Sequence, residues 1–315
     1  MESRVKNKIL LAVDGSDQAL EAIRYACAMM PVEQTEFVLF YVGTGFPEVF
    51  WDMNGNPLYR TKKVGVMGWL ATSQLVMGEF KEKAFKILAD AGFGRDAVRV
   101  NTRAKRTGVV KDIIQETYQN YGAIVIGNTG MSRIKDLLAG SMAKRLANKV
   151  KHMPSVIVDG KPAPGRILIA LDESIESMRG VSSVAALIGA SNPTVTLCHC
   201  LYPKTIFRSY EKSQDIDAAE EDWQAYHESR FKPYMDEATQ RLVDAGIAAE
   251  NISREIVLTR GNIIEKIIGV ALKGDFGTIV VGHREAAGFF EAHFRGRFSD
   301  RIIDSLENRA VWVVS

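Results

Sequence analysis

Four residues in the stretch AIVIGNTGMSRIKDLLAGSMAKRLANK (123–149) have the types and spacing to hold an anion: Gly127, Gly130, Gly140 and Ser141. An apolar run leads in and an amphipathic run leads out, so the expected setting is strand, loop, helix. Glycines there let backbone amides approach a phosphate without a Cβ in the way. Ser141 falls at the expected helix start, where unpaired amides and the helix dipole favour negative charge. The chemistry is the wrapping of a polyphosphate; the competing reading is a loop with glycines for turns only. Asp14, closing the apolar run KILLAV, is a further candidate, with a helix N-cap as its competing role.

These residues need a scaffold, and the chain writes that scaffold twice. KILLAVDGSDQALEAIRYA (8–26) resembles RILIALDESIESMRGVSSVA (166–185). AIVIGNTG (123–130) parallels TIVVGHRE (278–285), and SVIVDG (155–160) parallels AVWVVS (310–315). The offset stays near 155 residues, too long for a solenoid unit and right for a duplicated domain. DGKPAPG (159–165) has the Pro/Gly content of a linker. The division is 1–160 and 161–315.

Each copy alternates strands and helices. In the first, KILLAV, EFVLFYV (36–42), VRVNTR (98–103), AIVI and SVIV read as strands. Continuous apolar runs of this kind mark parallel strands buried on both faces. The helix after Ser16 presents Leu20, Ile23, Cys27 and Met30 on one face. Further helices are expected over Phe80 to Ala91, over Val109 to Tyr121, and over Ser141 to Lys149. The second copy repeats the strands as RILIAL, TVTLCHC, ISREIVL, TIVV and AVWVV. The expected fold is α/β: two tandem doubly wound domains, each a five-stranded parallel sheet flanked by helices. Such sheets bind ligands beyond the carboxyl ends of their strands, where strand order reverses. Asp14 and Gly127 share one crevice if their strands are neighbours.

The spacing Gly127-x2-Gly130-x9-Gly140-Ser141, with the early AVDGS, resembles the ATP-binding pattern of the universal stress protein family, in a tandem-domain form. The resemblance covers nearly the whole chain. It implies the adenine nucleotide alpha hydrolase-like fold and ATP in the first domain, with Mg²⁺ or Mn²⁺. It places Asp14 near ribose and adenine, the backbone of Val42 on adenine, and Gly127, Gly130, Gly140 and Ser141 on the phosphates. It implies a regulatory, stress-response role in place of rapid turnover. It also implies antiparallel pairing of the last strands of the two domains, an intramolecular pseudo-dimer, with a homodimer as a further assembly. One departure is Ala143, where a hydroxyl residue often stands. The second copy departs more: Gly282 is kept, Glu285 stands in place of Gly130, Gly296 comes one residue late, and Arg297 replaces Ser141. A carboxylate there repels a triphosphate, so the second site, with Asp172, reads as degenerate for ATP, though Arg297 suits a smaller anion.

No nucleophile with a base and no Walker A sequence is present, so no catalytic residue is named. Slow ATP hydrolysis, an adenylyl transferase and a scaffold that binds no nucleotide are the rival functions. The formal charge of +2 gives no footprint for nucleic acid. Ile9 to Val13 is too short for a signal h-region or a membrane span. Three cysteines, Cys27, Cys198 and Cys200, suggest reduced thiols in a cytoplasm. In CHC (198–200) the thiols share one strand face and His199 takes the other, a pattern of buried thiols and no metal site. GFGRDA (92–97) reads as a helix stop. His283 and His293 are expected in a solvated loop. The aromatic-rich 45–69 segment is a lid, a partner surface or a packing extension, and 210–230 begins a solvated acidic helix.

Overall fold

The first half contributes β1 (Asn7–Val13), α1 (Asp17–Met29), β2 (Thr35–Gly43), α2 (Arg60–Asp90), β3 (Val98–Ala104), α3 (Val109–Thr117), β4 (Ala123–Gly127), α4 (Ser141–Lys149) and β5 (Ser155–Val158). The second contributes β6 (Arg166–Ala170), α5 (Ile175–Ile188), β7 (Thr194–Leu201), α6 (Glu220–Asp244), β8 (Ile252–Leu258), α7 (Ile263–Lys273), β9 (Thr278–Gly282), α8 (Phe298–Asp304) and β10 (Ala310–Val314). The computed structural model describes residues 6–43, 60–128, 141–202, 220–283, 298–305 and 307–315.

The ten strands form one sheet in the order β3-β2-β1-β4-β5-β10-β9-β6-β7-β8. Every neighbouring pair is parallel except β5 and β10, which run antiparallel with Val156 opposite Trp312. Each half keeps the doubly wound order, and the two meet at the strands that come last in each. An apolar strand such as SVIV left at an open edge is a template for aggregation; here the two last strands cover each other.

Alternation along each strand divides the interior between two faces. Ile9, Leu11 and Val13 face one core, with α1, α2, α5 and α6. Leu10 and Ala12 face the other, with α3, α4, α7 and α8. Ile9 and Leu10 are fully buried and Leu11 nearly so, each stabilising by about 1.5–3 kcal/mol. The face expected of α1 is the one it buries: Leu20, Ile23, Cys27 and Met30. Helix α3 stops at Thr117, short of the expected Tyr121. Asn120 takes a left-handed φ of 61°, which ends a helix. The chain then turns Tyr121 back so that its hydroxyl donates to Glu116 Oε1 at 2.8 Å. Gly92, at φ 90°, terminates the run after α2, as expected of GFGRDA. No helix among the described residues is long and apolar enough to cross a membrane.

Candidate functional site

In the first half the chain runs from β1 outward to β2 and β3, then returns to lay β4 and β5 on the other side of β1. Strand order therefore reverses between β1 and β4, and the crevice lies beyond their carboxyl ends. The register pairs Ala12 with Ile126, so Asp14 and Gly127 leave adjacent strands at nearly the same level. On the other side Val13 is the last β1 residue paired with β2, at Tyr41. β2 continues to Gly43, so Val42 stands at the rim of the same crevice.

The turn after β1 is built from short local bonds. Asp14 Oδ1 accepts the Ser16 amide at 3.0 Å, and Ser16 Oγ accepts the Ala19 amide at 3.1 Å. The helix cap is thus Ser16, and Asp14 is free of that duty. Gly15 holds φ 83°, a conformation that favours glycine. Burial, and then the Asp14 charge, raise the Tyr41 pKa, which keeps that phenol protonated beside the carboxylate.

Gly127 is required by close approach. A Cβ there would lie 3.0 Å from Gln18 Cγ and 3.1 Å from the Gln18 carbonyl oxygen. Gln18 is itself fixed, donating from Nε2 to the carbonyls of Val158 at 3.0 Å and Gly160 at 3.4 Å. Asn128 follows. Its amide donates to the Val158 carbonyl at 2.8 Å, and its Nδ2 donates to Asp159 Oδ1 at 3.1 Å. Its Oδ1 is buried and accepts no hydrogen bond. Asp159 Oδ2 accepts the Asn308 amide at 3.3 Å, tying this corner to the second half. Tyr41, Gln18, Asn128 and Asp159 were not singled out by the sequence; a polar residue in the first turn of α1 and another directly after the strand glycine were the available signals.

Of the six expected site residues, Asp14, Val42 and Gly127 come together. Gly130 and Gly140 lie outside the described residues. Ser141 opens α4 as expected, and Ala143 behind it is buried.

The second half repeats the frame with different chemistry. Asp172 Oδ1 accepts from the amide of Ser174 at 2.9 Å and from its hydroxyl, and Ser174 caps α5. A Cβ on Gly282 would lie 2.7 Å from the Ser177 amide nitrogen, tighter than at Gly127. His199 takes the station of Tyr41. Its Nδ1 donates to the Leu171 carbonyl at 2.9 Å and its ring stacks on Phe231 with centroids 3.6 Å apart. Burial pushes the His199 pKa below its ordinary value. The expectation of a solvated His283 is wrong. That ring is 3% exposed, with Nδ1 2.9 Å from Ser299 Oγ, because it follows β9 directly and turns under α8. His293, Glu285, Gly296 and Arg297 lie outside the described residues, as do 45–59 of the aromatic segment and 210–219 of the acidic one. The three thiols are unpaired. Among the described residues no group of three or more His, Cys, Asp or Glu could hold a metal ion.

Residues 164–314, which span β6 to β10, match the model of the Universal stress protein family. The second half of this chain is a universal stress protein domain. The chain is 27% identical over 169 residues to the universal stress protein YxiE of Bacillus subtilis (strain 168), covering 48% of this chain and 98% of that one. In structure it is similar to a universal stress protein from Archaeoglobus fulgidus DSM 4304, with TM-score 0.63 and 18% identity over 100% of this chain and 99% of that one. A functionally unknown protein from Pseudomonas aeruginosa PAO1 gives TM-score 0.53 and 15% identity over 99% and 93% of the two chains. These two likenesses span both halves and show a common fold. The family match falls on the half with the divergent loop, so the universal stress pattern resides in the strands and helix starts as much as in the glycines.

Proposed function

We propose that this chain is a tandem universal stress protein, with domains at 1–160 and 161–315 joined as a pseudo-dimer through β5 and β10. The first domain binds ATP, with Mg²⁺ or Mn²⁺, in a regulatory, stress-response role. The observation that carries this is the convergence of Asp14, Val42 and Gly127 at the one point of the first half where strand order reverses. Asp14 would face ribose and adenine, the Val42 backbone adenine, and Gly130, Gly140 and Ser141 the phosphates, which the metal would help neutralise. The unpaired thiols suit a cytoplasmic setting.

Titration calorimetry with Mg-ATP tests the reading. The expected result is saturation at about one nucleotide per chain, with a loss of more than about tenfold in affinity, or about 1.4 kcal/mol, for Gly130→Glu. That substitution copies the second domain's own residue into the first. Unchanged affinity would remove the proposed site, and two nucleotides per chain would show the second domain to be competent. No binding at all would leave the protein as a scaffold.

A further inference from the structure

The two loops that follow β4 and β9 begin and end at equivalent stations, and the stations differ in one respect. Gly127 is level with Val158 and Gly282 with Val314, so Asn128 corresponds to His283. Their amides confirm the match, Asn128 donating to the Val158 carbonyl and His283 to that of Val314. On the helices beyond, the buried pair Leu146 and Ala147 corresponds to Ile302 and Ile303, which sets Ala143 opposite Ser299. In the second half the strand end and the helix start are joined directly, His283 Nδ1 to Ser299 Oγ at 2.9 Å, with both side chains buried. In the first half neither partner of that bond exists. Ala143 has no hydroxyl. Asn128 spends its Nδ2 on Asp159, a carboxylate that can only accept, which fixes the amide's orientation. That leaves Oδ1 as a buried acceptor with nothing donating to it.

A buried acceptor without a donor costs about 1–3 kcal/mol, and native proteins seldom leave one so. Resting on the nucleotide reading above, we infer that Asn128 is a ligand-contacting residue of the first domain. Its Oδ1 accepts an O–H from the bound nucleotide, taking the place that the Ser299 hydroxyl fills in the second domain. The donor is either a ribose hydroxyl or a water on the nucleotide's metal. Phosphate oxygens are excluded, because they offer only acceptors. The His283–Ser299 bond is the second domain's internal counterpart of that ligand contact.

The test moves that bond into the first domain. Asn128→His with Ala143→Ser should lower Mg-ATP affinity at least about tenfold in calorimetry of the full chain. The thermal midpoint of the nucleotide-free variant should not fall, which shows that it is folded. Asn128→Ala locates the donor. A loss seen with Mg-ATP and abolished in EDTA assigns a metal-bound water; a loss that persists in EDTA and vanishes with 2′- or 3′-deoxy-ATP assigns the ribose. Equal Mg-ATP affinity of the wild type and both variants would overturn the role of Asn128 while leaving the nucleotide site standing. A wild type that binds no ATP would overturn the nucleotide reading and this inference with it.

Discussion

The indole Nε1 of Trp312, on β10, donates a 2.9 Å hydrogen bond to the phenolic oxygen of Tyr25, on α1. The same oxygen lies 2.8 Å from Thr278 Oγ1, on β9. Trp312 and Thr278 are fully buried and Tyr25 nearly so. One element of this network comes from the first half and two from the second. Burial pushes the Tyr25 pKa up to about 12, so the phenol stays protonated within the network. The caps Ser16 and Ser174 align Tyr25 with Ser183, and the sheet register aligns Thr278 with Ala123. The pairing of the halves is therefore not symmetric in chemistry. Tyr25→Phe should destabilise the chain by about 1–3 kcal/mol, since it strands two buried partners at once. Urea unfolding measures this. Combined with Trp312→Phe the two losses should be less than additive; strict additivity would show that the bond couples nothing.

The two strand-end glycines make a ranked prediction. A Cβ at Gly127 meets Gln18 at 3.0–3.1 Å, whereas one at Gly282 meets the Ser177 amide nitrogen at 2.7 Å and the carbonyl carbon of Glu176 at 2.8 Å. Backbone cannot swing aside as a side chain can. Gly127→Ala should cost about 1–3 kcal/mol by overpacking, and Gly282→Ala should cost more. Equal melting temperatures for the two variants would contradict the packing described here.

The strands and their parallel order were legible because their signals are local. Continuous apolar runs such as KILLAV give buried parallel strands, whereas Gly127, read in sequence as room for a phosphate, packs against Gln18 in the structure. What was not legible depended on contacts far along the chain. A polar residue in the first turn of α1 does not by itself show that Gln18 fills the space beside Gly127. His283 reads as solvated from its neighbours in sequence, because its partner, Ser299, is brought to it by the packing of α8. The end of α3 is hidden in the sequence because Asn120 has no proline or glycine beside it to announce the left-handed turn.

His199 gives the fold a dependence on pH. Burial lowers its pKa, and its Nδ1–H is committed to the Leu171 carbonyl. His227 is lowered as well, by burial and then by Arg230. A base whose folded pKa is depressed contributes stability that is present above its unfolded pKa, about 6.5, and lost as pH falls towards the folded value. Thermal midpoints should therefore decline below about pH 6.5. His199→Asn keeps a donor near the Nδ1 position and cannot take up charge. It should flatten that decline; an unchanged pH profile would assign the decline to other groups.

Val156 and Trp312 test the junction itself. The equivalence that carries Val158 onto Val314 also carries Val156 onto Trp312, and these two residues pair directly across β5 and β10. Both side chains face the same core, so one station holds a single indole for the two strands. Val156→Trp adds a second and should destabilise by about 1–3 kcal/mol or more through overpacking. Trp312→Val leaves a void and strips Tyr25 of its donor, at a cost of about 3 kcal/mol. The double variant returns one indole to the pair but from the opposite strand, where Ser183 stands in place of Tyr25. Its volume is restored and its hydrogen bond is not. It should therefore be more stable than the sum of the single losses by at least about 1 kcal/mol, yet less stable than the wild type. If chemical denaturation shows the two losses simply adding, Val156 and Trp312 do not share one packing site.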